Sequence, residues 1–332
     1  MRINTAAERW PMREPFRITG KTWTHVDLIR VEIEQDGLIG HGEAPGVYYH
    51  DETPARMMAQ IEAVRSRLER GVSREELIAL LPPGGARNAL DAALWDLEAQ
   101  EADRSVADLA GLPPLRPLRT LRTVGAAPPR DMAEAARTLA EWGSIKLKLT
   151  GEPEDADRLR AVRAAAPDAW IAIDANQGFT RASLDALMPI FLETDVRLAE
   201  QPFPVGSEAW LEGWKHPIPI AGDESLLDLP DVEAMPGRFE CVTIKLDKCG
   251  GLTRALAIAG RARELGLSVM VGNMSGTSLS MAPAFVLGQL CDVVDLDGPL
   301  VLSGDREPSV RYKDGCIELP PGLWGRCSSD RI

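Results

Sequence analysis

An α/β fold, a TIM-like (β/α)7β barrel preceded by an N-terminal α+β capping domain, is predicted by three features of this 332-residue sequence. From Leu118 onward, eight short apolar runs alternate with seven stretches of helical period. Three consecutive runs end in a carboxylate, Asp174, Glu200 and Asp223, as happens where barrel strands aim side chains at one point above their C-terminal rim. Before Leu118 the order differs, with strands first and helices second.

In the first block, Val26 to Gln35 alternates apolar and polar residues, Asp36-Gly37 supplies a turn, and Leu38 to Ala44 returns as a hairpin. Helical periodicity then covers Thr53 to Arg70, Ser73 to Leu80 and Arg87 to Ala99, the second opened by a Ser73/Glu76 capping box. A proline-rich join at 111–117 closes the block. Barrel strands are expected at 120–125, 144–149, 170–174, 196–200, 218–222, 241–246, 267–271 and 291–296. The helices between them are expected at 130–142, 154–166, 180–193, 207–214, 229–236, 252–265 and 277–289. The link from Asp223 to Lys245 is short, which reduces the helix it carries. No G-x-G-x-x-G follows the first strand, which argues against a doubly wound sheet. Val310 to Leu319 reads as a late hairpin around Asp314-Gly315 that returns to the first block. The expected units are 1–115, with a C-terminal return at about 305–332, and the barrel at 116–304.

Apolar residues make up 45 % of the chain, enough for a large core. The net charge of −13 argues against nucleic acid and membrane as partners. A small anionic substrate stays open, because the field at a site can oppose the global sign. Five cysteines without C-x-x-C spacing give neither a zinc pattern nor a disulfide framework, and Met1 to Pro15 lacks the apolar segment of a signal peptide. A cytoplasmic protein is expected. A homo-oligomer is compatible with the sequence, which sets no number of copies.

The strand-end acids supply three hard oxygen donors that suit Mg2+, with Mn2+ as a substitute. Any one of them alone also reads as a helix cap. Three on consecutive strands would repel in a low-dielectric mouth unless a cation stood between them. In Ile145-Lys146-Leu147-Lys148-Leu149 both lysines alternate with apolar residues and face the barrel interior, unless this is an edge strand with a solvated face. The same alternation places Lys245 inside strand six. Neighbouring ammonium groups and a nearby cation lower a lysine pKa, which would leave one lysine neutral near pH 7. A base on each side of a bound carbon, beside a cation that stabilises an enediolate, can remove a proton α to a carboxylate and return it to the other face. Asp295 and Asp297 share a face at the end of strand eight. A turn pair, a metal-binding D-x-D and a dock for a substrate ammonium all fit that spacing.

Taken together, Lys146-Leu147-Lys148, Asp174-Ala175-Asn176-Gln177-Gly178-Phe179, Glu200-Gln201-Pro202, Gly222-Asp223-Glu224-Ser225 and Lys245-Leu246-Asp247-Lys248-Cys249-Gly250-Gly251 resemble the enolase superfamily over essentially the whole chain. Within it, the muconate lactonizing enzyme subgroup and its dipeptide epimerases, the L-Ala-D/L-Glu type among them, match best. The resemblance implies Asp174, Glu200 and Asp223 as Mg2+ ligands, Lys148 and Lys245 as the acid/base pair, and Lys146 in support. It implies Asp295 and Asp297 as the dock for the α-ammonium of an L,L-dipeptide, and a 1,1-proton transfer at the Cα next to the free carboxylate. Lys248 counts as secondary. Gly272-Asn273-Met274-Ser275 stands where enzymes of the mandelate racemase type carry a histidine, which argues against that type.

Specificity would come from loops at 16–24 and 46–53. Lys21 is placed for a side-chain carboxylate or is a surface lysine, while Asp51 and Glu52 would favour a cationic side chain instead. The rivals are an N-acylamino acid racemase, o-succinylbenzoate synthase and a muconate-type cycloisomerase on the same scaffold, for which Asp295 and Asp297 would be liabilities. A non-catalytic metal- or ligand-binding barrel would have no use for three costly interior lysines.

Overall fold

The charged N-terminal stretch forms a long strand that the sequence pattern does not show, β1 (Arg2–Ile18). Pro11 and Pro15 break its alternation, and its register against β2 (Lys21–Gln35) shifts between Pro11 and Phe16, so pairing rather than periodicity makes it a strand. β2 turns through Asp36 (φ 51°) and Gly37 (φ 81°) into β3 (Leu38–Pro45), the hairpin that the Asp-Gly pair predicts. These coordinates come from a computed structural model that describes residues 1–18 and 20–325. Cys327 and the end of the expected return, 326–332, lie outside the described residues.

Helices α1 (Pro54–Glu69), α2 (Arg74–Leu80) and α3 (Gly85–Glu101) follow, with the Ser73/Glu76 capping box formed as predicted. Ile29, Val31 and Ile33 of β2 pack on Met57 and Ile61 of α1 and on Ala89, Ala93 and Leu97 of α3. Gly40 and Gly42 of β3 let α3 lie on the sheet, since a Cβ there would stand 2.0 Å from Ala93 O and 1.9 Å from Ala89 O. A short helix, α4 (Val106–Leu109), leads to the join.

After β4 (Leu118–Arg119) come β5 (Arg122–Val124), β6 (Ser144–Lys148), β7 (Trp170–Asp174), β8 (Val196–Glu200), β9 (Ile220–Gly222), β10 (Cys241–Ile244), β11 (Ser268–Val271) and β12 (Val293–Val294). These eight run parallel in chain order, and their ends are tied by Leu121 N–H to Val294 O (2.8 Å) and Leu296 N–H to Thr120 Oγ1 (2.9 Å). Outward residues such as Ile145, Ile171, Val242 and Val269 pack under α5 (Pro129–Thr138), α6 (Asp155–Ala165), α7 (Arg181–Glu193), α9 (Leu252–Glu264) and α10 (Ser278–Gly288). Inward, Leu121, Ala172, Leu198, Ala221, Cys241 and Met270 fill the barrel floor.

Two expected helices, 207–214 and 229–236, are 3-10 turns, Glu208–Leu211 and Leu229–Ala234. Pro202, Pro204, Gly206, Gly213, Pro217 and Pro219 crowd the first segment, and Pro230, Pro236 and Gly237 bound the second, leaving neither room for an α-helix. A four-residue helix, α8 (Leu246–Cys249), directly follows Lys245.

The late hairpin, β13 (Arg311–Lys313) and β14 (Cys316–Glu318), pairs with β4 rather than with the first block. The return is made further on, by Trp324 Nε1–H to His41 O and Ala92 O (3.1 Å each) and Gly325 N–H to Asp96 Oδ1 (2.8 Å). No helix among the described residues is long and apolar enough to cross a membrane.

Candidate active site

Strand alternation brings most of the predicted polar residues into one buried cluster above the barrel floor. Register pairs Lys148 with Asp174 and Asp174 with Glu200 on neighbouring strands. Lys146 Nζ donates to Asp295 Oδ2 (2.8 Å) and stands 2.6 Å from Glu200 Oε2 and 3.2 Å from Asp174 Oδ2. Lys148 Nζ donates to Asp174 Oδ2, and Lys245 Nζ to Asp223 Oδ2, each at 2.6 Å. Asp174 and Asp223 are fully buried.

No group of three acid, His or Cys side chains among the described residues forms a ready coordination sphere, because ammonium groups stand between the carboxylates. Open acceptors remain beside them. Glu200 Oε1, Glu224 Oε2 and Asn176 Oδ1 are buried with no hydrogen-bond partner among the described residues.

Burial alone would lower the pKa of Lys146 and Lys245. Carboxylates outweigh it and raise both well above the ordinary value: Asp295, Glu200 and Asp174 around Lys146, Asp223 and Glu200 around Lys245. Burial opposes ionisation of the acids too, yet Lys148 and Lys146 bring Asp174 down to about 2, and Lys245 and Lys248 hold Asp223 well below the carboxylate range. Glu200 and Glu224 go the other way. Burial and neighbouring aspartates push each up to about 7.

The strand-eight aspartates separate. Asp295 joins the cluster through Lys146 and keeps Oδ1 without a hydrogen-bond partner among the described residues. Asp297 Oδ2 instead accepts from Thr123 N–H (2.8 Å) and Arg122 (3.2 Å), and burial with Asp295 nearby raises its pKa. Above the cluster, a cavity of ≈ 370 Å3 opens between barrel and cap, lined by Lys148, Lys245, Asn176 and Glu224 below and by Lys21, Trp23, Tyr48 and Tyr49 above. The strand-end acids and the two aspartates are not on its wall. Lys21 Nζ lies 5.0 Å from the Trp23 ring centroid and 4.3 Å from that of Tyr48, so it is held at this mouth. Glu52 is used internally, accepting from Val47 N–H and Gly85 N–H (2.9 and 3.1 Å), and Asp51 is exposed.

Four residues matter more than their sequence positions indicate. Lys248, set aside as secondary, is 1 % exposed and donates to Asp223 Oδ1 (2.6 Å), Asp223 O and Thr243 O. It lies within the helical turn α8, so no apolar alternation marks it. Gln201 Oε1 accepts from Asp223 N–H (2.9 Å) and Ser225 N–H (3.2 Å), locking one strand end to the next, and Arg122 neutralises Asp297. Tyr49 carries a buried hydroxyl with no hydrogen-bond partner among the described residues, and burial with Asp223 nearby raises its pKa strongly.

Residues 131–323 match the "Enolase C-terminal domain-like" family, and residues 1–111 match the N-terminal domain of the mandelate racemase / muconate lactonizing enzyme family. The chain is 40 % identical to the L-Ala-D/L-Glu epimerase of Escherichia coli (strain K12), over 96 % of this chain and 99 % of that protein. It is 36 % identical to an N-acetyl-D-glutamate racemase from a Pseudoalteromonas species, over 90 % and 95 %. Among solved structures, an enolase family member from Agrobacterium tumefaciens with homology to dipeptide epimerases, with bound sodium and L-Ala-L-Glu, superposes with TM-score 0.94 at 40 % identity, covering 97 % and 99 % of the two chains. The dipeptide epimerase of Methylococcus capsulatus, complexed with Mg and L-Arg-D-Lys, gives 0.88 at 32 % identity, covering 97 % and 98 %. The buried acid–lysine cluster thus sits in a chain that belongs to the enolase superfamily, with the N- and C-terminal domains of the mandelate racemase and muconate lactonizing enzymes, and is an isomerase of amino acid derivatives.

Proposed function

We propose that the protein is a Mg2+-dependent dipeptide epimerase that inverts the Cα next to the free carboxylate of an L,L-dipeptide with an acidic second residue. The observation that carries this reading is the placement of Lys148 and Lys245. They sit at the ends of β6 and β10, four strands apart in either direction round an eight-stranded barrel, and both line one cavity. One lysine removes the α-proton from its face and the other delivers a proton to the opposite face.

Asp174, Glu200 and Asp223 would hold the metal. Their hard oxygens suit Mg2+, and the unpartnered Glu200 Oε1 inside a lysine-filled cluster supports a cation there. When bound, the metal would offset the charge that builds on the substrate carboxylate as the α-proton leaves. Lys146 balances Asp174 and Glu200 and holds Asp295, whose open Oδ1 would take the substrate ammonium. Residues 1–115, with the return from about 305, would act as the specificity cap over a catalytic barrel at 116–304. Lys21 would meet the side-chain carboxylate. Glu52 is engaged by backbone amides, which removes one argument for a cationic side chain, and glutamate is common to the names of the first two relatives.

One observation favours a second reading, racemisation of an N-acylated glutamate: Arg122 and Thr123 N–H already occupy Asp297 Oδ2, leaving it less able to hold an ammonium. Incubating the Mg2+-loaded protein with pooled L,L-dipeptides, free and N-acetylated, and with N-acetyl-L-glutamate in D2O tests both. A one-mass-unit gain at Cα is expected in free dipeptides ending in Glu or Asp, and a blocked amino group should suppress it. Exchange confined to acetylated substrates would establish the second reading. No exchange in any pool, with metal confirmed bound, would reject both.

A further inference from the structure

Lys245 and Lys248 rise from one tight turn. The Lys245 carbonyl accepts from the N–H groups of Lys248 (3.0 Å) and Cys249 (3.2 Å), and both lysine side chains hold Asp223. The shape of α8 therefore sets where two ammonium groups and one carboxylate stand. A four-residue helix is too short to maintain its own shape, and this one ends in Gly250 and Gly251, at φ 75° and 120°.

Helix α3 of the cap holds it from outside. Arg87, 2 % exposed, donates through Nη2 to Cys249 O (2.6 Å) and through Nε to Gly250 O (3.3 Å). Its remaining arm donates to Ile78 O (3.3 Å) and Leu81 O (3.0 Å), joining two cap segments to the turn. One helical step on, Asn88 Nδ2 donates to Asp247 Oδ1 (2.9 Å), and Asp91 accepts from Thr253 N–H (3.1 Å) and Oγ1 (2.5 Å). A Cβ at Gly250 would stand 2.2 Å from Arg87 Nε, and one at Gly251 2.4 Å from Asp91 Oδ2. The glycine pair is what admits α3 to this distance.

We propose that Arg87 of the capping domain is a positioning residue for Lys245. Its guanidinium gathers the carbonyls at the C-terminal end of α8, where a cation is favoured, and so fixes the turn from which the base projects. The inference rests on the two-lysine reading above. A displaced Lys245 has a signature that general destabilisation lacks. Lys148 can still remove and return a proton on its own face, so exchange of the α-proton without inversion persists from one stereoisomer while inversion falls.

The experiment measures both rates in D2O, starting from each stereoisomer of the dipeptide that the wild type accepts. In Arg87→Met the ratio of exchange to inversion should rise on the order of 10–100-fold, with Lys148-face exchange nearly unchanged. Gly250→Ala, which presses on the same guanidinium from the barrel side, should act in the same direction and decides the matter if Arg87→Met does not fold. Arg87→Lys should recover part of the loss. Amide hydrogen exchange across 246–251 should quicken in both impaired variants, independently of turnover. Asp96→Asn is the control. It weakens α3 elsewhere, at His41 N–H and Gly325 N–H, and should leave the ratio alone. An unchanged ratio in Arg87→Met and Gly250→Ala, or an equal rise in Asp96→Asn, would overturn the proposal. A wild type that exchanges no α-proton in any dipeptide would instead bring down the two-lysine reading, and this inference with it.

Discussion

Lys146 and Lys248 are 2 % and 1 % exposed, and each touches carboxylate oxygen at the end of another strand. An ammonium taken that far from water costs several kcal/mol unless matched charges surround it, so the lysines and acids of this cluster are stable only as a set. Lys148→Ala and Lys245→Ala should therefore each cut epimerisation by at least about 10²–10⁴-fold, the usual worth of a positioned acid/base. Full activity in either single variant, measured by polarimetry, would end the two-base scheme. Tyr49 makes the opposite kind of test. Its buried hydroxyl lacks a hydrogen-bond partner among the described residues, and leaving such a group unmade costs about 1–3 kcal/mol. Tyr49→Phe should leave thermal stability unchanged or raised, and a few-fold fall in kcat/KM is expected if a substrate oxygen supplies the missing partner, since Tyr49 lines the cavity. Alternation with apolar neighbours exposed Lys146, Lys148 and Lys245 in the sequence. Lys248 and Tyr49 lie on a four-residue helix and a three-residue 3-10 turn, too short for a period to report direction.

Helix α3 shows how one element serves two purposes. One side lies on β3 through Gly40 and Gly42, and the other grips α8 through Arg87 and Asn88 and the start of α9 through Asp91. Burial lifts the Asp91 carboxyl from 3.8 to about 6, with hydrogen bonds from Thr253 opposing the rise. A folded-state pKa above the unfolded value means that the fold holds the proton more tightly. This group thus favours folding below pH about 4 and loses that contribution as pH climbs through about 6, a change of about 3 kcal/mol. Urea unfolding of wild type and Asp91→Asn from pH 4 to 7 should show their stability difference changing across that window and flat above it. A difference constant over the range would mean that Asp91 is ionised throughout. Elements with a clean period, such as α3 and the barrel strands, were legible in the sequence. β1 was not, because its prolines break the pattern and its partner strand supplies the order.

At the scale of the molecule, cap and barrel are joined through buried charge. Glu43 of β3 is fully buried and accepts from Thr277 N–H (2.9 Å), Thr277 Oγ1 (2.7 Å) and Arg306 Nε (2.7 Å). Arg306 also reaches Glu8 of β1 (2.8 Å). Arg306→Ala would strand the Glu43 carboxylate and should lower unfolding stability by about 3–5 kcal/mol. Adding Glu43→Gln should restore part of the loss, a non-additivity that denaturant titration of the four-member cycle would reveal. None of these residues repeats with a period or forms a motif, so their pairing could not be read along the chain. What the sequence determined alone was whatever repeats locally: the alternating barrel, the acids that end its strands, the lysines between apolar neighbours, and the Asp-Gly hairpin. Tertiary structure alone decided the partners: which oxygen each ammonium takes, that Asp297 is met by Arg122, and that cap residues hold the turn behind Lys245. Periodicity fixes the direction of a side chain relative to its own element, whereas a partner across space depends on how elements distant in the chain pack together.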